Sequence, residues 1–142
     1  MMHTDDHGIA AMLARRVGHS ADSEKVSAVA LSIWDEVDEA LSPIIGKSGV
    51  TALYKRSLYT AIVDHPCLVT AYEGVTRNGK GFAGLDTALL QQTPQQGLVV
   101  LEALLSTFHE LLTFLIGGSL FERLLRSVWD KPYDSDVTKE PE

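Results

Sequence analysis

The strongest constraint in this chain is the stretch 98–129, where leucines and aromatics recur at helical spacing with a break only at Gly117-Gly118. Apolar residues at that interval share one face of an α-helix, so the stretch predicts two amphipathic helices joined at the glycine pair. Both carry start signals. Thr93-Pro94-Gln95-Gln96 offers a capping hydroxyl, a proline where the missing amide donor costs nothing, and a glutamine that reaches back to the cap. Ser119 and Glu122 repeat the capping-box spacing ahead of 120–129. On the longer helix, Leu98, Leu101, Leu104, Leu105, Phe108, Leu111, Leu112 and Leu115 form an arc wider than one neighbouring helix covers. That width predicts a central place in a bundle or a share in a homodimer interface.

The same period runs through the rest of the chain. Residues 6–17 put Ile9, Met12, Leu13 and Val17 on one stripe. Residues 22–41, capped by Asp22 or Ser23, do so with Val26, Val29, Ala30, Ile33, Val37, Ala40 and Leu41. Ser42-Pro43 reads as a cap and first helical residue of a short turn ending at Gly46. Residues 48–64 then line up Val50, Leu53, Tyr54, Ser57, Leu58, Ala61 and Ile62, and Pro66 stops the run. Residues 67–72 read as one or two helical turns, 73–84 as irregular with four glycines, and 85–92 as helix again. Nothing alternates with period two, so a sheet is not expected. The predicted fold is all-α: an antiparallel bundle of roughly four to five main helices with short extra turns. One domain is expected over 1–131, followed by a polar tail over 132–142.

Charge and cysteine content narrow the function. The net charge of −7 opposes general nucleic-acid binding, which needs a basic face to displace counterions. That charge is unevenly spread. Residues 47–80 hold Lys47, Lys55, Arg56, Arg77 and Lys80 against Asp64 and Glu73, a balance of +3, which leaves −10 on the remainder. The five cations read either as contacts for an anion or an acidic partner or as a solvated helix face. The single cysteine, Cys67, excludes an internal disulfide and a cysteine-based zinc site, and suits a reducing cytoplasm. The polar, acidic N-terminus is unlike a signal peptide. The longest uncharged apolar run, 111–121, falls short of the ~20 residues that span a bilayer, so no membrane association is expected.

Individual residues suggest several chemistries. Gly79-Lys80-Gly81-Phe82-Ala83-Gly84 matches G-x-G-x-x-G, whose glycines let backbone amides approach a pyrophosphate. A dinucleotide site also needs a strand before the loop and an acid about 20 residues beyond it. No strand is expected before it, and the segment reads as a connection between helices. His109, at the margin of an apolar stripe with Phe108 and two turns beyond Glu102, reads as a ligand to haem, a partner for a polar ligand group, or a boundary histidine. His65 beside Cys67 reads either as a reactive pair or as a helix-terminating histidine facing the C-terminal dipole. Trp34, Tyr54 and Phe108 occupy apolar positions that fit core packing or the wall of an apolar ligand cavity. No Glu-x-x-His or His-Glu-x-x-His pattern occurs, so no metal site is expected.

Two stretches, Ser42-Pro43-Ile44-Ile45-Gly46-Lys47-Ser48-Gly49 through Leu58 and Leu115-Ile116-Gly117-Gly118 through Trp129, resemble uncharacterised all-helical proteins of proteobacteria. The resemblance covers about a third of the chain. It implies a bacterial accessory or regulatory protein and carries over no site residues. Separately, the length, the helical content and Ile33-Trp34-Asp35-Glu36-Val37 resemble a globin, although the interval from Trp34 to Pro66 is too long and His65 and His109 are 44 residues apart. The leading expectation is a non-enzymatic, cytoplasmic regulatory or interaction domain. It is expected to form a homodimer, to meet a protein partner, or to hold a small apolar ligand among His109, Glu102, Phe108, Tyr54 and Trp34. No cofactor is expected in that reading. The alternative is a globin-like or other haem- or ligand-binding sensor using His109 or His65.

Overall fold

Asp22 sets the frame of the longest element: its carboxylate accepts the backbone N–H of Lys25 at 2.8 Å and opens a 39-residue stretch of two helical halves that meet at a kink at Gly46. The computed structural model describes residues 9–18, 22–78, 82, 84–120 and 123–124. In chain order the elements are α1 (Ile9–Val17), α2 (Ser23–Ala61), a 3-10 turn (Pro66–Leu68), α3 (Val69–Asn78), α4 (Leu85–Leu90) and α5 (Pro94–Ile116). No strand occurs among the described residues. The chain is an all-α bundle, as its periodicity predicts.

Each element buries the stripe that its sequence sets apart. Ile9, Met12, Leu13 and Val17 of α1 enter the core, as do Val26, Val29, Ala30, Ile33, Trp34, Val37 and Leu41 of α2. Leu68, Ala71, Val75, Leu85 and Leu89 join them, so the 3-10 turn and every α-helix contribute to one hydrophobic cluster. Burying a side chain of this size stabilises the fold by roughly 1.5–3 kcal/mol. The two most extensive helix pairings are α2 with α5 and α2 with α4. Arg16 on α1 adds a two-pronged ion pair to Glu36 on α2, at 2.8 and 3.2 Å.

Helix α5 starts as expected. The Thr93 hydroxyl accepts from the Gln96 amide at 3.1 Å while the Gln96 side chain accepts from the Thr93 amide at 3.3 Å. It ends at Gly117. Most of its wide arc is buried inside the bundle, Leu101, Leu104, Leu105, Phe108 and Leu112 fully or nearly so. By length and composition alone α5 is long and apolar enough to cross a bilayer, which the count of uncharged residues did not bring out. In this fold it packs as a core helix against α1 and α2. Beyond it, residues 118–120 and 123–124 are helical. Glu122 of the second capping box, Trp129, the tail over 132–142 and residues 6–8 of the first helix lie outside the described residues.

Three expectations are corrected. Ser42-Pro43 does not start a helix: α2 continues through Pro43, and Ser42 donates its hydroxyl back to Asp38 at 2.8 Å instead of capping forward. Pro43 is exposed and forfeits one backbone donor three residues before the chain breaks anyway at Gly46, where φ is +82°. Helix does not persist to residue 64. It ends at Ala61, and the Ala61 carbonyl accepts from both Asp64 and His65 in a tight turn set by Pro66. Residues 73–78 are not irregular: they belong to α3, where burial of Ala71 and Val75 outweighs the cost of Gly74 inside a helix.

Candidate functional site: a cationic and aromatic face on α2 and α3

Past Gly46, α2 turns Val50, Tyr54, Ser57, Leu58 and Ala61 inward. The opposite stripe therefore places Ala52, Lys55, Arg56 and Tyr59 toward solvent. Helix α3 buries Ala71 and Val75, which carries Tyr72, Glu73, Thr76 and Arg77 to its outer side. Because α2 and α3 pack together, the two outer stripes adjoin. The Lys55 ammonium lies 5.8 Å from the centre of the Tyr72 ring, and the Tyr59 and Tyr72 rings are 6.0 Å apart.

Two hollows open on this face. One, of about 410 Å³, is lined by Ala52, Lys55, Arg56, Tyr59 and Tyr72. The other, of about 300 Å³, is lined by Tyr72, Glu73, Thr76 and Arg77. Tyr72 is common to both, so they form one strip across two helices. Lys55, Arg56 and Arg77 make no salt bridge to a carboxylate among the described residues. Three of the five cations singled out in the sequence thus converge. Lys47 does not line the strip; it donates to Asp38 at 2.8 Å across the Gly46 break. Burial alone would raise the Asp38 carboxyl, but hydrogen bonds from Lys47 and Ser42 and the Lys47 charge bring it below its usual value. Lys80 lies outside the described residues.

The second candidate set divides. Trp34, Tyr54 and Phe108 are fully buried and touch: Trp34 stands edge-on to Tyr54 and to Phe108, with centroids 4.9 Å apart in each case. Phe82 completes the cluster at 4.7 Å from Tyr54 and 5.6 Å from Trp34. A ligand among these rings would have to part them. The Trp34 indole nitrogen and the Tyr54 hydroxyl are buried without a hydrogen-bond partner among the described residues. Burial, with the Asp86 carboxylate adding to it, pushes the Tyr54 phenol far above its usual value. His109 is buried on α5 next to Phe108, and Glu102 on the same helix is half-buried.

The remaining motifs also find places. Gly84 adopts φ +94°, and a Cβ there would come within 2.7 Å of the Thr70 carbonyl oxygen, so this glycine serves contact with α3. Gly79, Gly81 and Ala83 of the same motif lie outside the described residues. His65 precedes the 3-10 turn, half-buried. Burial pushes the Cys67 thiol up, against a weaker opposing backbone hydrogen bond, which disfavours the nucleophilic thiolate. No group of three or more metal-ligating side chains occurs among the described residues.

Sequence reasoning missed Tyr59, Tyr72, Thr76 and Phe82. Tyr59 was legible as one helical turn beyond Lys55. Tyr72 was not, because its helix was expected to stop there. Comparison with protein-family models, curated proteins and solved structures finds no match to this chain.

Proposed function

We propose that this chain is a non-enzymatic interaction domain that recognises a partner through the α2–α3 face. The observation that carries this reading is the convergence of Lys55, Arg56 and Arg77 around the Tyr59–Tyr72 pair. Tyrosine and arginine are the side chains most often found at the energetic centre of protein interfaces, and the tyrosine ring immobilises at low entropic cost. The cations add orientation and encounter rate. A regulatory role follows from binding alone and asks for no reacting group.

The test is photo-crosslinking in the source organism, with a benzophenone amino acid placed at Ala52, at Thr76, or at Gln95 at the exposed start of α5. Discrete adducts from the first two positions, absent from the third and lost when Arg56→Glu is added, are the expected result. Adducts spread equally over all three positions, or none, would overturn the reading.

A second copy of the chain is the reading favoured for the far end of α5. Phe114 is 93% exposed and Leu115 59% exposed at adjacent positions, which is unusual for residues of that size on a small domain. Light scattering of wild type against Phe114→Glu tests it. A dimer that the substitution converts to a monomer is expected, and an unchanged mass contradicts it.

A further inference from the structure

Resting on that reading of the α2–α3 face, we propose that the partner is an acidic polypeptide segment carrying an aromatic or long aliphatic anchor. Its carboxylates meet Lys55, Arg56 and Arg77, and its anchor packs against the exposed faces of the Tyr59 and Tyr72 pair.

Shape comes first. The two hollows of about 410 and 300 Å³ meet at Tyr72, the first between α2 and α3 and the second along α3. A strip of this form suits a chain laid along it better than a compact ligand held at one point. Each hollow combines a tyrosine ring with at least one cation. Arg56 lines the hollow on α2 and Arg77 the hollow on α3, both exposed, while Lys55 lies over the Tyr72 ring. Ala52 presents only a methyl group, which opens the hollow beside Tyr59 for an inserted side chain.

Charge then selects the class. The residues lining the strip, Lys55, Arg56 and Arg77 against Glu73, carry a balance of +2 in a chain of net charge −7. An acidic peptide is drawn to this local excess of positive charge, which gives attraction and register. A nucleic acid meets the same tyrosines, but three cations are few for a long polyanion and the chain's net charge of −7 opposes it. Glu73, between Tyr72 and Arg77 on the lining, also opposes a continuous phosphate track. A short acidic segment needs only these three cations.

The probe is a fluorescein-labelled peptide, Glu-Glu-Asp-Phe-Glu-Glu-Leu-Asp, followed by anisotropy with the full chain. Three comparisons accompany it: the peptide with serine in place of phenylalanine and leucine, its charge-reversed lysine analogue, and an oligothymidylate of similar length. Arg56→Glu and Arg77→Glu are each expected to weaken binding about tenfold, and Tyr59→Ser or loss of the anchors about fivefold. These side chains are exposed, so circular dichroism and the melting temperature of each variant should stay at wild-type values. The lysine analogue should not bind. Absence of peptide binding, indifference to both arginine substitutions, or tighter binding of oligothymidylate overturns the proposal. Millimolar inorganic phosphate that displaces the peptide outright also overturns it, by reducing the face to a simple anion site. If the peptide fails while crosslinks from Thr76 persist, the acidic chemistry falls and the face stands. If both fail, neither survives.

Discussion

Lys55 and Tyr72, on different helices, are joined by a cation–π contact of 5.8 Å that ties the second half of α2 to α3. The contact has two consequences. It holds the Tyr72 ring toward Tyr59, which gives the strip an aromatic pair. It also occupies Lys55, while Arg56, the next residue on α2, is exposed.

A double-mutant cycle over Lys55→Met and Tyr72→Leu should therefore show a coupling of about 0.5–1 kcal/mol in urea unfolding. Additive effects would mean that the two side chains share the face without holding each other.

Tyr54 is expected to behave unlike an ordinary buried tyrosine. Its hydroxyl is fully enclosed and makes no hydrogen bond among the described residues, so it pays desolvation without return. Tyr54→Phe should be neutral or stabilise by up to about 1 kcal/mol, whereas Trp34→Ala should cost about 3–5 kcal/mol. A clear loss of stability in Tyr54→Phe would contradict the geometry of the cluster.

Ionisation of that phenol follows the same logic. Its folded value is raised, so its contribution is intact below the ordinary value of 10.0 and is lost as pH climbs beyond it. Alkaline unfolding of wild type should release a tyrosinate absorbance change together with the loss of helix, and Tyr54→Phe should unfold at higher pH. A pre-unfolding component of the tyrosinate absorbance that Tyr54→Phe removes would show that Tyr54 is open to solvent, because the exposed Tyr59 contributes to that absorbance equally in either chain.

Two glycines separate strain from crowding. Gly46→Ala meets open space but must adopt φ +82°, which costs about 1–2 kcal/mol. Gly84→Ala meets the same kind of strain at φ +94° and also drives a methyl group to 2.7 Å from the Thr70 carbonyl oxygen. Thermal melts should rank Gly84→Ala clearly below Gly46→Ala. The reverse order would contradict the packing of the loop on α3.

Asp38 provides a test at acid pH. Its carboxyl is lowered from 3.8 in the folded chain, so its contribution is present above that value and is lost as pH falls through the folded value. Wild type should lose urea resistance between about pH 5 and pH 3 more steeply than Asp38→Asn, with the difference shrinking in high salt because Lys47 is largely exposed. Parallel pH profiles would indicate that the bridge across Gly46 contributes nothing.

The helices were legible wherever burial and local chemistry agreed. Asp22 and Thr93 cap where their side chains predict, and the inward stripe from Val50 to Ala61 follows the period. Failures came where two local signals competed. Ser42-Pro43 has the chemistry of a helix start, yet the positive φ available to Gly46 decided where the chain breaks. Gly74 and the polar residues around it suggested a loop, while the packing of Ala71 and Val75 made a helix. The strip itself was half visible. Periodicity gives the face on which Lys55 or Arg77 lies, but only the packing of α3 on α2 brings those faces together. Phe82 stands in a polar, glycine-rich stretch, and nothing local shows that its ring reaches Trp34.

The most direct test of the central claim is a pair of ¹H–¹⁵N correlation spectra recorded with and without the acidic peptide, following the backbone amides and the Trp34 indole together. Recognition at the surface predicts shifts confined to amides of residues 52–59 and 72–77, with the indole unmoved. Shifts at the Trp34 indole and around Phe108, with the α2–α3 amides unchanged, would place the binding site inside the helical core and contradict the account.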